Sequence, residues 1–464
     1  MRPVASCGLS AIAVALVFVA AACSEAAEGP TMPVATPAAV EPIQTVTTRA
    51  EILQAELVAG PKAAPSLATG YGALPGAIES RARRVEQGLR GSYGDPAWKR
   101  MRLSDRMAHH NVPGVGIAVI NDYRIEWAKG YGVLTAGRSE RTTPGTLFQA
   151  ASIGKVAVAA AALRYVEQGL LDLDGDVNRT LSSWRLPEGG FTTQEKVSLR
   201  RLLSHSAGVT VPWFRGYAEG ESTPNLRQIL DGEAPANSPP IRVDVVPGTL
   251  YRYSGGGYMV VQRLLMDVAG EPFPEAMRGA VLDPWGMAAS SFEPRLPESS
   301  QAIAASGHRS DGSPIPGRWR TYPEMGAGAS MWATPSDLAR LAIGLMRAYQ
   351  GLSDEVISQS MAKQMLAPQI EDRGLGPVLG DDGGDRFYFL HPGGNEGYRS
   401  ILVAYPKRGQ GVVIMTNGDG GESLRQEILR SVSTEYGWVS DHTYTYVAIS
   451  AAVVAAIVGL WYLR

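Results

Sequence analysis

The sequence predicts an α+β fold, one antiparallel sheet flanked by helices with an all-helical lobe inserted between its strands. Two observations predict it. Paired alternating stretches that read as strands lie near both ends of the folded region, "GVGIAVI" with "RIEWAKGYG" and "YRSILVAYP" with "GVVIMTN". The long middle instead shows helical spacing closed by glycine, without an internal repeat or a parallel strand–helix–strand succession.

The chain is 464 residues long, ample for a sizeable core, and carries a net charge of −2. That balance argues against general affinity for nucleic acid. Its two cysteines, Cys7 and Cys23, both lie near the start. The remainder can therefore hold no disulfide, cysteine nucleophile or thiolate metal site.

The opening "MRPVASCGLSAIAVALVFVAAACSEA" places Arg2 before an apolar run and small residues, the pattern of a secretory signal peptide over 1–22. Ala20 and Ala22 fit a small-x-small cleavage site. Cys23 equally resembles the lipidated cysteine of bacterial lipoproteins, although Ala20 stands where those usually have leucine. An Ala/Pro-rich linker over 23–77 follows, with a short helix around Arg49 to Val58. At the other end, 443–463 is free of charge and flanked by Tyr444, Tyr446, Trp461 and Tyr462. Its length of roughly 30 Å matches one hydrocarbon thickness, which predicts a transmembrane helix with Arg464 cytoplasmic and the main domain outside. A buried core helix is the alternative reading.

Between these ends lies a domain over 78–440, its helical lobe about 176–330. Asn121-Asp122 is expected to turn the first hairpin and "KRGQG" the last, with "RFYFL" (Arg386 to Leu390) as a preceding strand. "VSLRRLLSHSAG" and "GYMVVQRLLMDVAG" read as helices. In "TPSDLARLAIGLMRAY", Thr334 is the expected N-cap, Pro335 the first helical residue and Asp337 the closing member of a capping box.

The chemical signal sits in "QAASIGKVAVAA". Lys155 is the one charge between Gln149 and Leu163 in an alanine-rich helix, three residues after Ser152, and residues three apart share a helix face. A serine hydroxyl is a weak nucleophile until a neighbour takes its proton. A lysine stripped of water has a lowered pKa and can be that neighbour. A helix N-terminus adds partial positive charge where an oxyanion would develop. A second Ser-x-x-Lys, Ser360 to Lys363, lies in the charged "SDEVISQSMAKQM" and reads as a solvated helix face.

"LFQAASIGKVAVAAAALRYVEQGLLDLD", "LRRLLSHSAGV", "YRYSGGGY", "DPWGM", "WATPSDLARL" and "HPGGNEGYRS" together resemble, in order from about Val112 to Asn417, the serine β-lactamase and penicillin-binding-protein superfamily. The nearest branch is the class C-like one, which includes β-lactamases, D-alanyl-D-alanine carboxypeptidases, D-aminopeptidases and esterases. The resemblance implies a β-lactamase/transpeptidase-like fold. It implies Ser152 as nucleophile, Lys155 as proton acceptor, and Tyr253 as the tyrosine of Y-x-N, a phenolate that carries protons to the leaving group; Tyr251 competes for that place. His391 stands where the family has K-T-G or H-x-G. Gly393 and Gly394 let substrate approach the strand edge, and the N–H groups of Gly394 and Ser152 would form the oxyanion hole. Gly255, assigned with these residues to substrate binding, replaces the asparagine of Y-x-N, a side chain that in β-lactamases helps hold the substrate amide, and Pro392 removes a backbone donor. These departures weaken the case for β-lactam hydrolysis while leaving acyl transfer intact.

"SHSAG" (Ser204 to Gly208) mimics a nucleophile elbow, but helical spacing precedes it where a strand is required. Adjacent His109 and His110 do not face one site, so a metal is not expected. His205 and His308 are assigned structural roles. The expectation is thus an exported, membrane-anchored serine hydrolase acting on a small ester, amide or D-amino-acid peptide through an acyl-enzyme, with no metal or organic cofactor. The competing reading is a receptor that binds β-lactams or cell-wall peptides without turnover.

Overall fold

A computed structural model describes residues 74–92 and 97–438. The expected signal peptide, both cysteines, nearly all of the linker and the expected transmembrane helix lie outside the described residues. Among those described, no helix is long and apolar enough to cross a membrane.

Six strands form one antiparallel sheet: β1 (Gly114–Asn121), β2 (Arg124–Gly132), β5 (Val378–Asp381), β6 (Phe387–Asn395), β7 (Tyr398–Tyr405) and β8 (Gln410–Thr416). Their order is β2-β1-β8-β7-β6-β5, so the first hairpin closes on the last strand. Two short strands, β3 (Phe148–Gln149) and β4 (Trp332–Ala333), pair apart from it. The five helices that matter for packing are α1 (Gly76–Glu86), α2 (Gly154–Glu167), α3 (Gly255–Ala269), α4 (Pro335–Gln350) and α5 (Gly421–Tyr436).

Period-two alternation sends successive strand residues to opposite faces. Val115, Ile117, Val119, Ile401, Val403, Val412 and Ile414 pack with Val85 of α1 and Leu424, Ile428 and Val432 of α5. Ala118, Ile120, Leu402, Ala404, Val413 and Met415 face a second core that takes in Leu338 and Leu341 of α4. That core runs without interruption through α2 and α3 into the helical region between β3 and β4. Every residue of α2 from Gly154 to Leu163 is buried, as an all-round apolar helix must be. Its alanines let neighbouring elements close on it from all sides.

Two local details differ from expectation. The first hairpin turns at Asp122 and Tyr123, both left-handed (φ 55° and 54°), with Asn121 already paired to Arg124. A two-residue turn with both φ positive matches the strand twist, and here it tolerates a tyrosine. Tyr123 is held by its N–H to the Gly409 carbonyl (2.9 Å) and its hydroxyl to the Pro406 carbonyl (2.9 Å). At α4, Thr334 caps the Asp337 N–H (3.1 Å), but Asp337 does not complete a capping box. Its carboxylate instead accepts from the Ala289 N–H, the Ser290 hydroxyl and Arg340, tying the helical region to α4.

Candidate active site

Ser152 lies in a tight turn, Ala151–Ile153, immediately before α2 rather than on the α-helix itself. Ala151 is left-handed (φ 50°), a conformation that costs an L-residue about 1–2 kcal/mol and persists only where neighbours over-determine it. The neighbours are evident. The Ala150 N–H donates to the Met331 carbonyl (2.8 Å), and Gly393 of β6 lies so close that a Cβ there would stand 2.2 Å from the Ala150 carbonyl oxygen. Only glycine permits that approach.

From the first turn of α2, Lys155 Nζ reaches Ser152 Oγ at 3.1 Å and also donates to the Ala327 carbonyl. The lysine is 2% exposed, and burial lowers its pKa to about 7. Half of it is then a neutral amine near pH 7. The Tyr253 hydroxyl also reaches this oxygen, at 2.9 Å, with Lys155 Nζ 5.1 Å from its ring centre. Of the two candidate tyrosines only Tyr253 has this contact; Tyr251 lies under the Arg373 guanidinium, 4.4 Å away.

Desolvation pushes the Tyr253 phenol up to about 12, outweighing its hydrogen bond to Ser152 and the charge of Arg373. The expected phenolate is therefore not met: at neutral pH this tyrosine keeps its proton, and the group poised to accept one is Lys155.

His391 is buried in β6, and its Nδ1 pairs with the Pro392 carbonyl (2.7 Å). Burial first and the Lys155 charge second hold it down to about 3, so it supplies a neutral ring where the resembled family often has a cation. Strand β5 pairs with β6 only as far as Leu390, which leaves the outer edge of His391–Asn395 without a partner strand. Gly394 lies on that edge, exposed, with nothing nearer than 3.7 Å to where a Cβ would stand. Gly393 is buried against the Ser152 turn, and its carbonyl accepts from the buried Arg425 of α5 (3.2 Å).

Gly255, expected to face substrate, is instead a packing residue. Its N–H goes to the Pro212 carbonyl (3.0 Å), and a Cβ would meet the Phe214 ring at 3.1 Å. The direction an asparagine side chain would take from this position is filled by Phe214.

Some neighbours carried no sequence signal. The Asn395 amide donates to Gln149 Oε1 (2.7 Å) and the Ala329 carbonyl (2.9 Å), while Gln149 donates to the Arg320 carbonyl (2.9 Å). Three segments distant in sequence are thereby locked around the Ser152 turn. Glu324, in the segment that ends at β4, is fully buried with neither carboxylate oxygen hydrogen-bonded, and burial raises it to about 8. A cavity of about 390 Å³ is lined by Arg215, Tyr217, Glu221, Asn237 and Arg320. Arg215 to Glu221 fall within "PWFRGYAEGESTPN".

The decoys resolve simply. Ser360 and Lys363 are exposed on a short helix. "SHSAG" follows the helix Leu199–Leu203. His110 joins Glu427 and Arg106, and His308 bridges the Ala136 N–H and the Asn417 carbonyl. Among the described residues no cluster of His, Cys, Asp or Glu could hold a metal.

A family model described as "Beta-lactamase" matches residues 100–433. The "Penicillin-binding protein 4" of Amycolatopsis lactamdurans is 26% identical over 364 residues, covering 74% of this chain and 91% of that protein. Among solved structures, the "D-alanine Carboxypeptidase AmpC from Burkholderia cenocepacia" is 16% identical with a TM-score of 0.59, covering 77% of this chain and 99% of that one. "EstCE1, a hydrolase with promiscuous acyltransferase activity" is 20% identical with a TM-score of 0.59, covering 76% and 99%. At those identities the two structures speak for the fold alone.

Proposed function

The chain belongs to the β-lactamase family, and on that premise we propose that it is a hydrolase working through an acyl-enzyme on Ser152. The observation that carries the proposal is the placement of one hydroxyl oxygen between Lys155 Nζ (3.1 Å) and the Tyr253 hydroxyl (2.9 Å).

In this reading the neutral Lys155 amine takes the Ser152 proton as Oγ attacks an ester or amide carbonyl. The N–H groups of Ser152 and Gly394 receive the developing oxyanion, donors of a kind typically worth about 3 kcal/mol each. Tyr253, protonated and beside Oγ, hands a proton to the leaving atom and recovers one from Lys155. Water then releases the acyl group by the same groups in reverse. His391 bounds the cleft as a neutral wall, and Gly393 lets β6 sit directly on the nucleophile's turn. No metal or organic cofactor enters this scheme.

The substrate is an ester or a D-amino-acid peptide, in keeping with the carboxypeptidase and hydrolase named among the structural neighbours. Phe214 in the space beyond Gly255 counts against β-lactams as the main substrate. Export by the 1–22 segment and anchoring by 443–463 complete the proposal, with the catalytic domain on the outer side of the membrane.

The test is p-nitrophenyl butyrate hydrolysis by residues 76–441 of wild type and Ser152→Ala, read as a pre-steady-state burst followed by turnover. Turnover lost in the variant supports the proposal. A stoichiometric burst without turnover in wild type replaces it with the receptor reading, and equal turnover in both proteins refutes Ser152.

A further inference from the structure

The "SHSAG" segment is not an elbow, yet its backbone is unusual. His205, Gly208 and Val211 are all left-handed (φ 58°, 65° and 62°), and two of the three carry side chains. A β-branched residue in that region is a true outlier, and such strain persists only where surroundings enforce it. Several polar groups of the stretch 205–212 meet residues 252–256, while others pair elsewhere, the Gly208 carbonyl with the Asp244 N–H (3.1 Å) and the Thr210 N–H with the Arg242 carbonyl (2.9 Å). The Arg252 N–H donates to the His205 carbonyl (2.8 Å) and the Ser254 N–H to His205 Nδ1 (3.1 Å). The Ser254 hydroxyl donates to the Thr210 carbonyl (2.7 Å), the Gly255 N–H to Pro212 (3.0 Å) and the Gly256 N–H to Val211 (2.9 Å).

Tyr253 sits at the centre of this mould. His205 binds the residue on each side of it and lays its ring 4.4 Å from the phenol ring, tilted by 35°. Because Nδ1 accepts a hydrogen bond, the imidazole proton resides on Nε2, a buried atom with no partner. Burial first, and then the nearby positive charges of Lys155 and Arg373, keep the ring neutral, as an accepting Nδ1 requires.

We infer that His205 is a positioning residue for the reaction: it clamps the peptide groups flanking Tyr253 and backs its ring, so that the hydroxyl points at Ser152. The inference rests on the reading of Tyr253 as proton carrier.

The test is a double-mutant cycle with p-nitrophenyl butyrate, measuring kcat, KM and thermal unfolding. His205→Leu removes the acceptor. His205→Gln moves it one bond further from the backbone and serves equally if the leucine variant does not fold. His205→Asn places Oδ1 where Nδ1 was and tolerates the left-handed backbone. We expect His205→Leu or His205→Gln to lower kcat about 100-fold, within the range of a positioned proton-transfer group, with KM changed less than about threefold. On a Tyr253→Phe background the same change should cost less than about threefold more, because its effect passes through the tyrosine. His205→Asn should recover at least about tenfold over His205→Leu.

A loss of equal size on both backgrounds, tracking a fall in thermal stability, overturns the inference, as does wild-type kcat in His205→Leu or no recovery in His205→Asn. Should Tyr253→Phe itself keep wild-type kcat, the proton-carrier reading fails and this inference with it. An impaired Tyr253→Phe with an uncoupled His205 sinks the inference alone.

Discussion

Varying the pH separates the two groups that flank Ser152. A lysine in water, pKa 10.5, is neutral at pH 7 in about one molecule of 3,000. Burial brings Lys155 to about 7, so about half is neutral, an increase of more than a thousandfold in available base. If this amine accepts the serine proton, kcat/KM should climb about tenfold per pH unit from pH 5 and level off near pH 7. It should then stay flat to at least pH 9.5, because the Tyr253 phenol loses its proton only near 12. The assay is p-nitrophenyl butyrate hydrolysis from pH 5 to 9.5, corrected for spontaneous hydrolysis. A profile still rising steeply at pH 9 would refute the reasoning: it would mean that Lys155 stays charged to high pH, or that a phenolate is the base.

Gly393→Ala puts a Cβ 2.2 Å from the Ala150 carbonyl and must push β6 off the nucleophile's turn. Steady-state kinetics should show kcat/KM down about 100-fold, the usual cost of misplacing reacting groups by an ångström. Gly394→Ala meets nothing nearer than 3.7 Å and should match wild type in thermal unfolding. Glu324 has its folded pKa raised from 4.5 to about 8, so its contribution to stability is complete below 4.5 and is lost as pH rises through 8. Between pH 5 and 6 Lys155 is largely protonated folded or unfolded, so over that window Glu324→Gln should abolish a slope of up to about 1.4 kcal/mol per pH unit relative to wild type, measured by urea unfolding.

What the sequence determined by itself is what local geometry fixes. Alternation in β1, β6, β7 and β8 sets which side chains face each core, because successive side chains of a strand point to opposite faces of the sheet. Thr334 and Pro335 start α4 through their own backbone preferences. Ser152 and Lys155 meet because residues three apart come together over one turn, here the tight turn that leads into α2. Local rules reached their limit at Asp337 and at the Asp122-Tyr123 turn, where partners from other segments redirected a carboxylate and held a tyrosine left-handed. Only the tertiary structure decided the rest. It brought Tyr253 across 101 positions to Ser152, placed Phe214 where a side chain at Gly255 would point, and closed the 205–212 mould around the tyrosine. It also set the proton balance, giving the amine a pKa near 7 and the phenol one near 12. A pKa depends on how much water the packed chain excludes and which charges it gathers, and neither quantity exists until the segments have come together.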